Sequence, residues 1–146
     1  MRRQKVGRSV KRAMSRQNVE VVSRALEEFI ATRRFSDEFA ADVTWDLSTF
    51  RGWPDRAVFH GLEGFTEFMS AWIEPYDEWS MDLEQILDPG GNQVVAVLVQ
   101  RGQLRGSDSV VGLRYGVVYT VEDGQVRGAQ VYTTPEEALE AVGLSE

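Results

Sequence analysis

The sequence contains no cysteine and only one histidine, His60, among its 146 residues. Without cysteine the chain can form no disulfide bond, no thiolate metal site and no cysteine nucleophile. A single histidine is also too few for the ligand sets that usually hold zinc, so we expect no metal site. The lack of cysteine is typical of proteins in a reducing compartment, and we expect a cytoplasmic location.

Long apolar segments and nucleotide-binding motifs are missing as well. No stretch approaches the ~20 apolar residues that a membrane-spanning helix requires, and the N-terminus lacks the apolar segment of a signal peptide. There is no GxGxxG motif, and the glycine-containing stretch RGQLRGSD lacks the lysine of a P-loop. We therefore expect no membrane partner and no cofactor.

Positive charge is scarce outside the N-terminus. The net charge is −7, yet residues 1–17 hold seven basic residues and no acidic one. An acidic body argues against nucleic acid as a partner, because phosphate binding needs a positive surface. The basic arm is the exception: it is a flexible tail, an arm for nucleic acid or anionic lipid, or sequence upstream of the true start. We expect residues 1–16 to be a flexible extension and 17–146 to form one domain.

The first half of the domain shows helical and then strand periodicity. Apolar residues recur at spacings of three and four between Asn18 and Ala31, which predicts an amphipathic helix. In the stretch FSDEFAADV, Ser36 is placed to cap a short second helix, giving a helical hairpin. The alternating stretch DVTWDLS, residues 42–48, predicts a strand. Residues 49–58 have no period and predict a loop of the length that often carries function.

The second half predicts one long helix followed by four strands. The helical stripe consists of Phe65, Phe68, Met69, Trp72, Ile73 and Tyr76. Turn signals then separate strands at 79–87, 93–104, 109–121 and 125–133. Residues 94–99 are apolar on both strand faces, so we expect helices on one side of the sheet and another subunit on the other. In TTPEEALEAVGL, Thr134, Pro135 and Glu137 form a capping box that begins a short terminal helix.

This order of elements resembles the SnoaL-like branch of the nuclear transport factor 2-like superfamily. The stretches DVTWDLS, FHGLEGFTEFMSAW, VVAVLVQRGQLRGS, EDGQV and VYTTPEEALEAVGL carry the resemblance, which extends over residues 17–144. It implies a cone-shaped, barrel-like α+β fold, in which a curved antiparallel sheet wraps around an N-terminal helical hairpin and a long third helix. It also implies a deep apolar pocket and a homodimer packed through the sheets. Superfamily members include isomerases, cyclases, dehydratases and epoxide hydrolases, so the fold leaves the activity open.

The residue sets of the known enzymes in that superfamily are incomplete here. Where ketosteroid isomerases carry their catalytic aspartate, this chain has Leu47, with Asp46 one residue away and no tyrosine in the first helix. SnoaL-type cyclases carry an aspartate where Thr134 stands. For the aspartate, arginine and aspartate of limonene-type epoxide hydrolases, Arg101 matches the arginine, but Gln103 and Val131 stand near the acid positions.

His60 and Asp46 are the remaining candidates for proton transfer. A histidine at the edge of an apolar pocket can give or take a proton near neutral pH, although His60 can equally flank the helix that begins after it. Asp46 lies on an alternating strand, where its side chain points either into the pocket or to solvent.

Seven further residues are candidates for ligand binding. Arg101 can bind a carboxylate, enolate or phosphate, or pair with an acidic neighbour on the sheet. The tyrosines can belong to the pocket or to a dimer interface. The candidates are Trp45, Trp72, Arg101, Tyr115, Tyr119, Gln130 and Tyr132.

These residues lead to a hypothesis and an alternative. The hypothesis is a homodimeric protein that binds a small apolar or carbonyl ligand. Any reaction would be cofactor-free acid–base chemistry of isomerase, cyclase or hydrolase type on an apolar cyclic or carbonyl substrate. The alternative is a non-catalytic binding or dimerisation module whose pocket is filled by its own side chains.

Overall fold

The chain folds into helices packed against one mixed sheet. The computed structural model describes residues 2–53 and 57–144, with side chains from Ser15 onward in those ranges. The helices of this part are α1 (Arg2–Thr32), α2 (Gly61–Ile73) and α3 (Pro135–Ala141), and its strands are β1 (Phe39–Asp46), β2 (Val58–His60), β3 (Tyr76–Leu87), β4 (Gln93–Leu104), β5 (Val110–Glu122) and β6 (Gln125–Tyr132). The strand order is β2-β1-β6-β5-β4-β3. The predicted α+β fold is confirmed.

The sheet has two differently covered faces. The inner face, which carries Val94, Ala96 and Leu98 of β4, packs against α1 and α2 in the main hydrophobic core. The outer face carries Val95 of β4 and Val118 of β5, which pack against the short helix α3 in a second apolar cluster. Sequence reasoning expected another subunit on this side, and α3 of the same chain already covers part of it.

The long strands agree with their predicted positions. Strands β3 to β6 are antiparallel to one another, and their ends fall at the predicted turn signals within a few residues. In contrast to the expected antiparallel sheet, β1 runs parallel to β6, and the three-residue strand β2, which begins at the last residue of the predicted loop, pairs with β1. The sheet is therefore mixed.

The predicted second helix, and with it the N-terminal helical hairpin, is wrong. Residues 37 and 38 form a turn, and β1 begins at Phe39. The backbone carbonyl of Glu38 accepts a 2.7 Å hydrogen bond from the amide of Val126, so the chain is already bound to β6 where the helix was expected. Phe39 and Val43 are both buried, a spacing of four that fits a helix but here belongs to an irregular strand. The Ser36 hydroxyl is buried without a partner rather than capping a helix.

The N-terminal basic segment continues the first helix. The backbone of α1 begins at Arg2 and runs without a break into the predicted helix. The side chains before Ser15 lie outside the described residues. The division of the chain at residue 16 therefore stays a prediction.

The two later helices follow their sequence signals. In α2, the stripe residues Phe65, Phe68, Met69 and Trp72 are buried, as predicted. The helix ends at Ile73, so the last predicted stripe residue, Tyr76, instead begins β3. The Thr134 hydroxyl accepts a 3.2 Å hydrogen bond from the amide of Glu137 at the start of α3, so this half of the capping box is formed. The Glu137 carboxylate binds the guanidinium of Arg51 and so ties α3 to the loop after β1. None of the helices described is long and apolar enough to cross a bilayer.

Candidate functional site

A small aromatic cavity lies between the inner face of the sheet and the two long helices. Its volume is about 20 Å³. Of the predicted ligand-binding residues, Trp45, Trp72, Tyr115 and Tyr119 line it together, and all four are buried. The structure thus brings four candidates from three separate elements to one place.

Strand register explains how two of these rings come together. Ala129 of β6 pairs with Trp45 of β1 on one side and with Tyr119 of β5 on the other. Because the side chain of Ala129 is small, it leaves room for the rings of Trp45 and Tyr119 to contact each other. Their centroids are 5.9 Å apart in an edge-to-face arrangement. Phe65 of α2 closes this end of the cavity by stacking on Trp45 at 4.0 Å.

The opposite end of the cavity is closed by Trp72. Its indole N–H donates a hydrogen bond to the side-chain carbonyl of Gln100. Gln100 was missed by sequence reasoning, although a signal existed: it is the polar residue at an inward position of β4, two places after Leu98. Phe50 and Trp53 of the loop after β1 contact the other side of the Trp72 ring, with centroids 5.2 and 5.6 Å away.

A surface groove lies directly beyond Trp72. The groove has a volume of about 370 Å³ and is lined by Phe50, Trp53, Trp72 and Gln100, among others. Trp72 borders both spaces, so a single side chain separates the cavity from the groove at this point. The loop predicted to carry function thus supplies one wall of a groove that leads toward the cavity.

Two polar groups of the cavity lining have no hydrogen-bond partner within the described part of the chain. They are the Tyr119 hydroxyl and the Trp45 indole N–H, in side chains of residues that are 1% and 5% exposed. A buried polar group without a partner costs about 1–3 kcal/mol. In contrast, the Tyr115 hydroxyl donates to the sulfur of Met81 at 3.5 Å, which is a weak acceptor.

The tyrosines of the cavity are neutral hydrogen-bond donors. Burial raises the pKa of Tyr115 above its ordinary value, and a hydrogen bond with Trp72 opposes that shift. Burial also raises the pKa of Tyr119, and the neighbouring Tyr115 adds to this effect. Both hydroxyls therefore keep their protons at neutral pH.

Three other candidates meet on the outer face of the sheet. Asp46, Gln130 and Tyr132 line a groove of about 240 Å³, which we call the outer groove. The Asp46 carboxylate accepts a 2.8 Å hydrogen bond from the amide of Ser48, and the Gln130 amide donates to the Thr49 hydroxyl at 3.1 Å. Partial burial, and after it the charge of Asp46, raises the pKa of Tyr132.

His60 and Arg101 belong to neither group. His60 is exposed at the end of β2, where it precedes α2 as its N-cap residue without a side-chain capping hydrogen bond. Arg101 is exposed on β4, paired in register with Ser80 and Gly112. Neither residue lines the inner cavity or the outer groove. Within residues 2–53 and 57–144, no three acidic or histidine side chains lie close enough to hold a metal ion.

Solved structures share this architecture at low sequence identity. TerC, crystallised with polyporic acid, is 18% identical, with a TM-score of 0.67 over 86% of this chain and 98% of TerC. An NTF2-like protein from Anabaena variabilis is 18% identical, with a TM-score of 0.63 over 80% of this chain and 88% of its own. A ketosteroid isomerase-like protein from Catenulispora acidiphila, in complex with trimethylamine, is 15% identical, with a TM-score of 0.59 over 82% and 92% of the two chains. At these identities the likeness shows the fold alone.

Sequence comparison identifies the family. No curated protein matches the sequence at a significant level. The sequence model of the SnoaL-like domain, however, matches residues 13–129, which is most of the chain. This match shows that the chain belongs to the SnoaL-like domain family, and its fold is that of the NTF2-like proteins.

Proposed function

We propose that the inner cavity binds a small, mainly apolar cyclic or carbonyl molecule. The observation that carries this proposal is the pair of buried donors, Tyr119 and Trp45, which line the cavity and have no partner. A core built only for stability gains nothing from such groups, because each is stripped of water without compensation. A ligand with an acceptor atom would supply the missing hydrogen bonds.

The cavity must widen to admit such a ligand. A volume of about 20 Å³ holds roughly one water molecule. Two of the lining residues, Met69 and Met81, have flexible thioether side chains that adapt to differently shaped neighbours. Rotation of Trp72 would join the cavity to the adjoining groove of about 370 Å³. Small-molecule complexes of the same fold, with polyporic acid in TerC and trimethylamine in the Catenulispora protein, support this use of the fold.

Binding rather than catalysis is the function that the inner cavity supports best. The residues assigned from sequence to proton transfer, His60 and Asp46, do not line it. Asp46 lines the outer groove, so any proton transfer by Asp46 would take place there. In that groove its charge contributes to the raised pKa of Tyr132. Neutral tyrosines in the inner cavity can stabilise a carbonyl oxygen without a cofactor.

A ligand screen with a cavity-filling variant tests this proposal. The variant is Val117→Leu, which adds a methylene group to a residue lining the inner cavity, and its control is Val118→Leu on the outer face. A ligand at a hundred times its Kd should stabilise the wild-type chain by about 2.7 kcal/mol, measured as a rise in Tm. We expect Val118→Leu to keep this stabilisation and Val117→Leu to lose most of it. Equal loss in both variants would contradict the assignment to the inner cavity.

The alternative function is a module whose pocket is filled by its own side chains. The small cavity volume favours it, as does the stacking of Phe65 between Trp45 and Phe35 at 4.0 and 4.2 Å. This alternative predicts that no small neutral cyclic compound raises the Tm of the wild-type chain. It also predicts that Val117→Leu is more stable than wild type, because it fills empty space.

We further propose that two copies of the chain pair through the outer face of the sheet in the cytoplasm. The outer groove supports pairing because it combines apolar Val118 with polar Thr120 and Gln130, and the absence of cysteine supports the location. Thr120→Arg should place a charge in the interface and give a monomer in sedimentation experiments. Ser107→Arg, in an exposed turn, is the matched control and should leave the dimer intact.

A further inference from the structure

The polar groups of the inner cavity define the chemistry of its ligand. An indole N–H is a donor only, and the hydroxyl of a neutral tyrosine has a proton to donate. The two groups without a partner, Trp45 Nε1 and Tyr119 Oη, are therefore both available as donors. The matching ligand group is a hydrogen-bond acceptor.

The rest of the lining excludes a charged ligand. Among the residues that the structure describes, no lysine, arginine, histidine, aspartate or glutamate borders the cavity. An ion transferred into an apolar site without a counter-charge pays a large desolvation penalty. The acceptor must then belong to a neutral molecule, and the carbonyl oxygen of a ketone or a quinone meets this requirement.

Aromatic rings make up the walls around the two donors. Phe65 stacks on the face of Trp45 at 4.0 Å, and Trp45 contacts Tyr119 edge to face, with ring centroids 5.9 Å apart. Flat rings of this kind pack best against a flat, apolar ligand. The two other buried groups without partners, Ser36 Oγ and Trp79 Nε1, belong to residues outside the lining and play no part here.

We infer that the ligand is a neutral aromatic or conjugated carbonyl compound, which rests on the binding function proposed above. The Tyr119 hydroxyl donates a hydrogen bond to the carbonyl oxygen of this ligand, and the Trp45 indole N–H is the second donor. The donor role of Tyr119 persists across the physiological pH range, since burial keeps its hydroxyl protonated. The apolar part of the ligand lies against Phe65 and the flexible methionines.

Two probes of nearly the same shape separate the hydrogen bond from simple hydrophobic binding. Acetophenone carries a carbonyl oxygen, and α-methylstyrene carries a CH₂ group in its place. Affinities for both are measured by calorimetry on the full chain and on Tyr119→Phe, which removes one hydroxyl and keeps the ring. We expect Tyr119→Phe to weaken acetophenone binding by roughly three- to ten-fold and to change α-methylstyrene binding by less than about two-fold.

Two controls, the variant Tyr115→Phe and the charged probe benzoate, distinguish the possible outcomes. Tyr115→Phe removes a hydroxyl that already has Met81 as its partner, so we expect a smaller loss of acetophenone affinity than with Tyr119→Phe. Benzoate, the charged counterpart, should not bind. If both probes bind and Tyr119→Phe affects them equally, the inferred hydrogen bond is wrong while cavity binding stands. If neither probe binds the wild-type chain, the binding function itself is contradicted.

Discussion

The two faces of the sheet differ in whether their polar groups have hydrogen-bond partners. The inner face is covered by α1 and α2 and is almost entirely aromatic and aliphatic, and two donors that line its cavity have no partner among the described residues. The outer face is covered only in part, by α3, and its polar side chains at Asp46 and Gln130 have hydrogen-bond partners. A polar group that is satisfied stabilises its surroundings, whereas one left unsatisfied inside a core points to a missing partner. This contrast supports the proposal that the ligand binds at the inner face.

Truncating the centre of the inner face should have the largest effect on stability. Phe65 is 3% exposed and touches the rings of Phe35, Phe39 and Trp45. Phe65→Ala should lower the free energy of unfolding by about 3–5 kcal/mol, because it removes a large ring and leaves a cavity. Urea unfolding checks this, with Val110→Ala as the control, since Val110 is 71% exposed and should change stability by less than about 0.5 kcal/mol. Similar losses in the two variants would remove the distinction between core and surface.

On the outer face, the contact with α3 should tolerate no added side chain. A Cβ at Gly116 would lie 2.7 Å from Cβ of Ala138 and 3.1 Å from Cα of Pro135. Gly116→Val should therefore cost about 1–3 kcal/mol of unfolding free energy by pushing α3 away from the sheet. Gly112→Val, on the same strand and face, meets nothing closer than 3.8 Å and should be neutral or mildly stabilising. An equally destabilising Gly112→Val would mean that strand glycines, and not α3, set the cost.

Alkaline pH should act mainly through the inner face, because its two tyrosines are more deeply buried than Tyr132 of the outer groove, whose pKa is also raised. The pKa values of Tyr115 and Tyr119 are raised by burial above the ordinary value near 10. Below about pH 10 both residues are protonated in the folded and unfolded states, so their contribution to stability is fully present. As pH rises above 10, the unfolded chain loses these protons first, and stability should fall by about 1.4 kcal/mol per pH unit for each tyrosine. Urea unfolding at pH 9, 10 and 11 measures this slope, and Tyr119→Phe should reduce it.

The smallest expected change in stability, that of Tyr119→Phe, tests whether the Tyr119 hydroxyl lacks a hydrogen-bond partner. Tyr119→Phe should leave the unfolding free energy at neutral pH unchanged or raise it by up to about 1 kcal/mol, because the lost hydroxyl has no partner. Tyr115→Phe, which loses a hydroxyl bonded to Met81, should be neutral or slightly destabilising. A loss of more than about 1 kcal/mol in Tyr119→Phe would show that its hydroxyl is satisfied in the unliganded protein, by a buried water for instance.

The fold was predictable from sequence wherever one pattern dominated. The stripe of α2 and the turn signals between β3 and β6 have a single physical interpretation, and the structure agrees with them. The segment from Ser36 to Val43 was different, because Phe39 and Val43 fit both a helical spacing and a buried strand. Pairing with β6, more than eighty residues away in sequence, decided in favour of the strand, and local patterns carry no information about such a partner.

The candidate site was predictable only in its residue types. Alternation places Tyr115 and Tyr119 on one face, and the structure puts that face inward with Trp45 and Trp72. Whether a strand face points inward or outward depends on register, which a single residue reverses, and Asp46 lies on the opposite side from its neighbour Trp45. Gln100 accepts a hydrogen bond from Trp72 of the cavity lining, and this bond joins β4 to α2, a contact that only the tertiary structure creates.

The most direct test of the assignment to the inner face is a nitrogen–proton NMR spectrum of the full chain during titration with acetophenone. The account predicts that the largest shifts occur at the indole N–H groups of Trp45 and Trp72, with little change at the side-chain amide of Gln130 in the outer groove. Largest shifts at Gln130 and its neighbours, with the two indole signals unmoved, would contradict it.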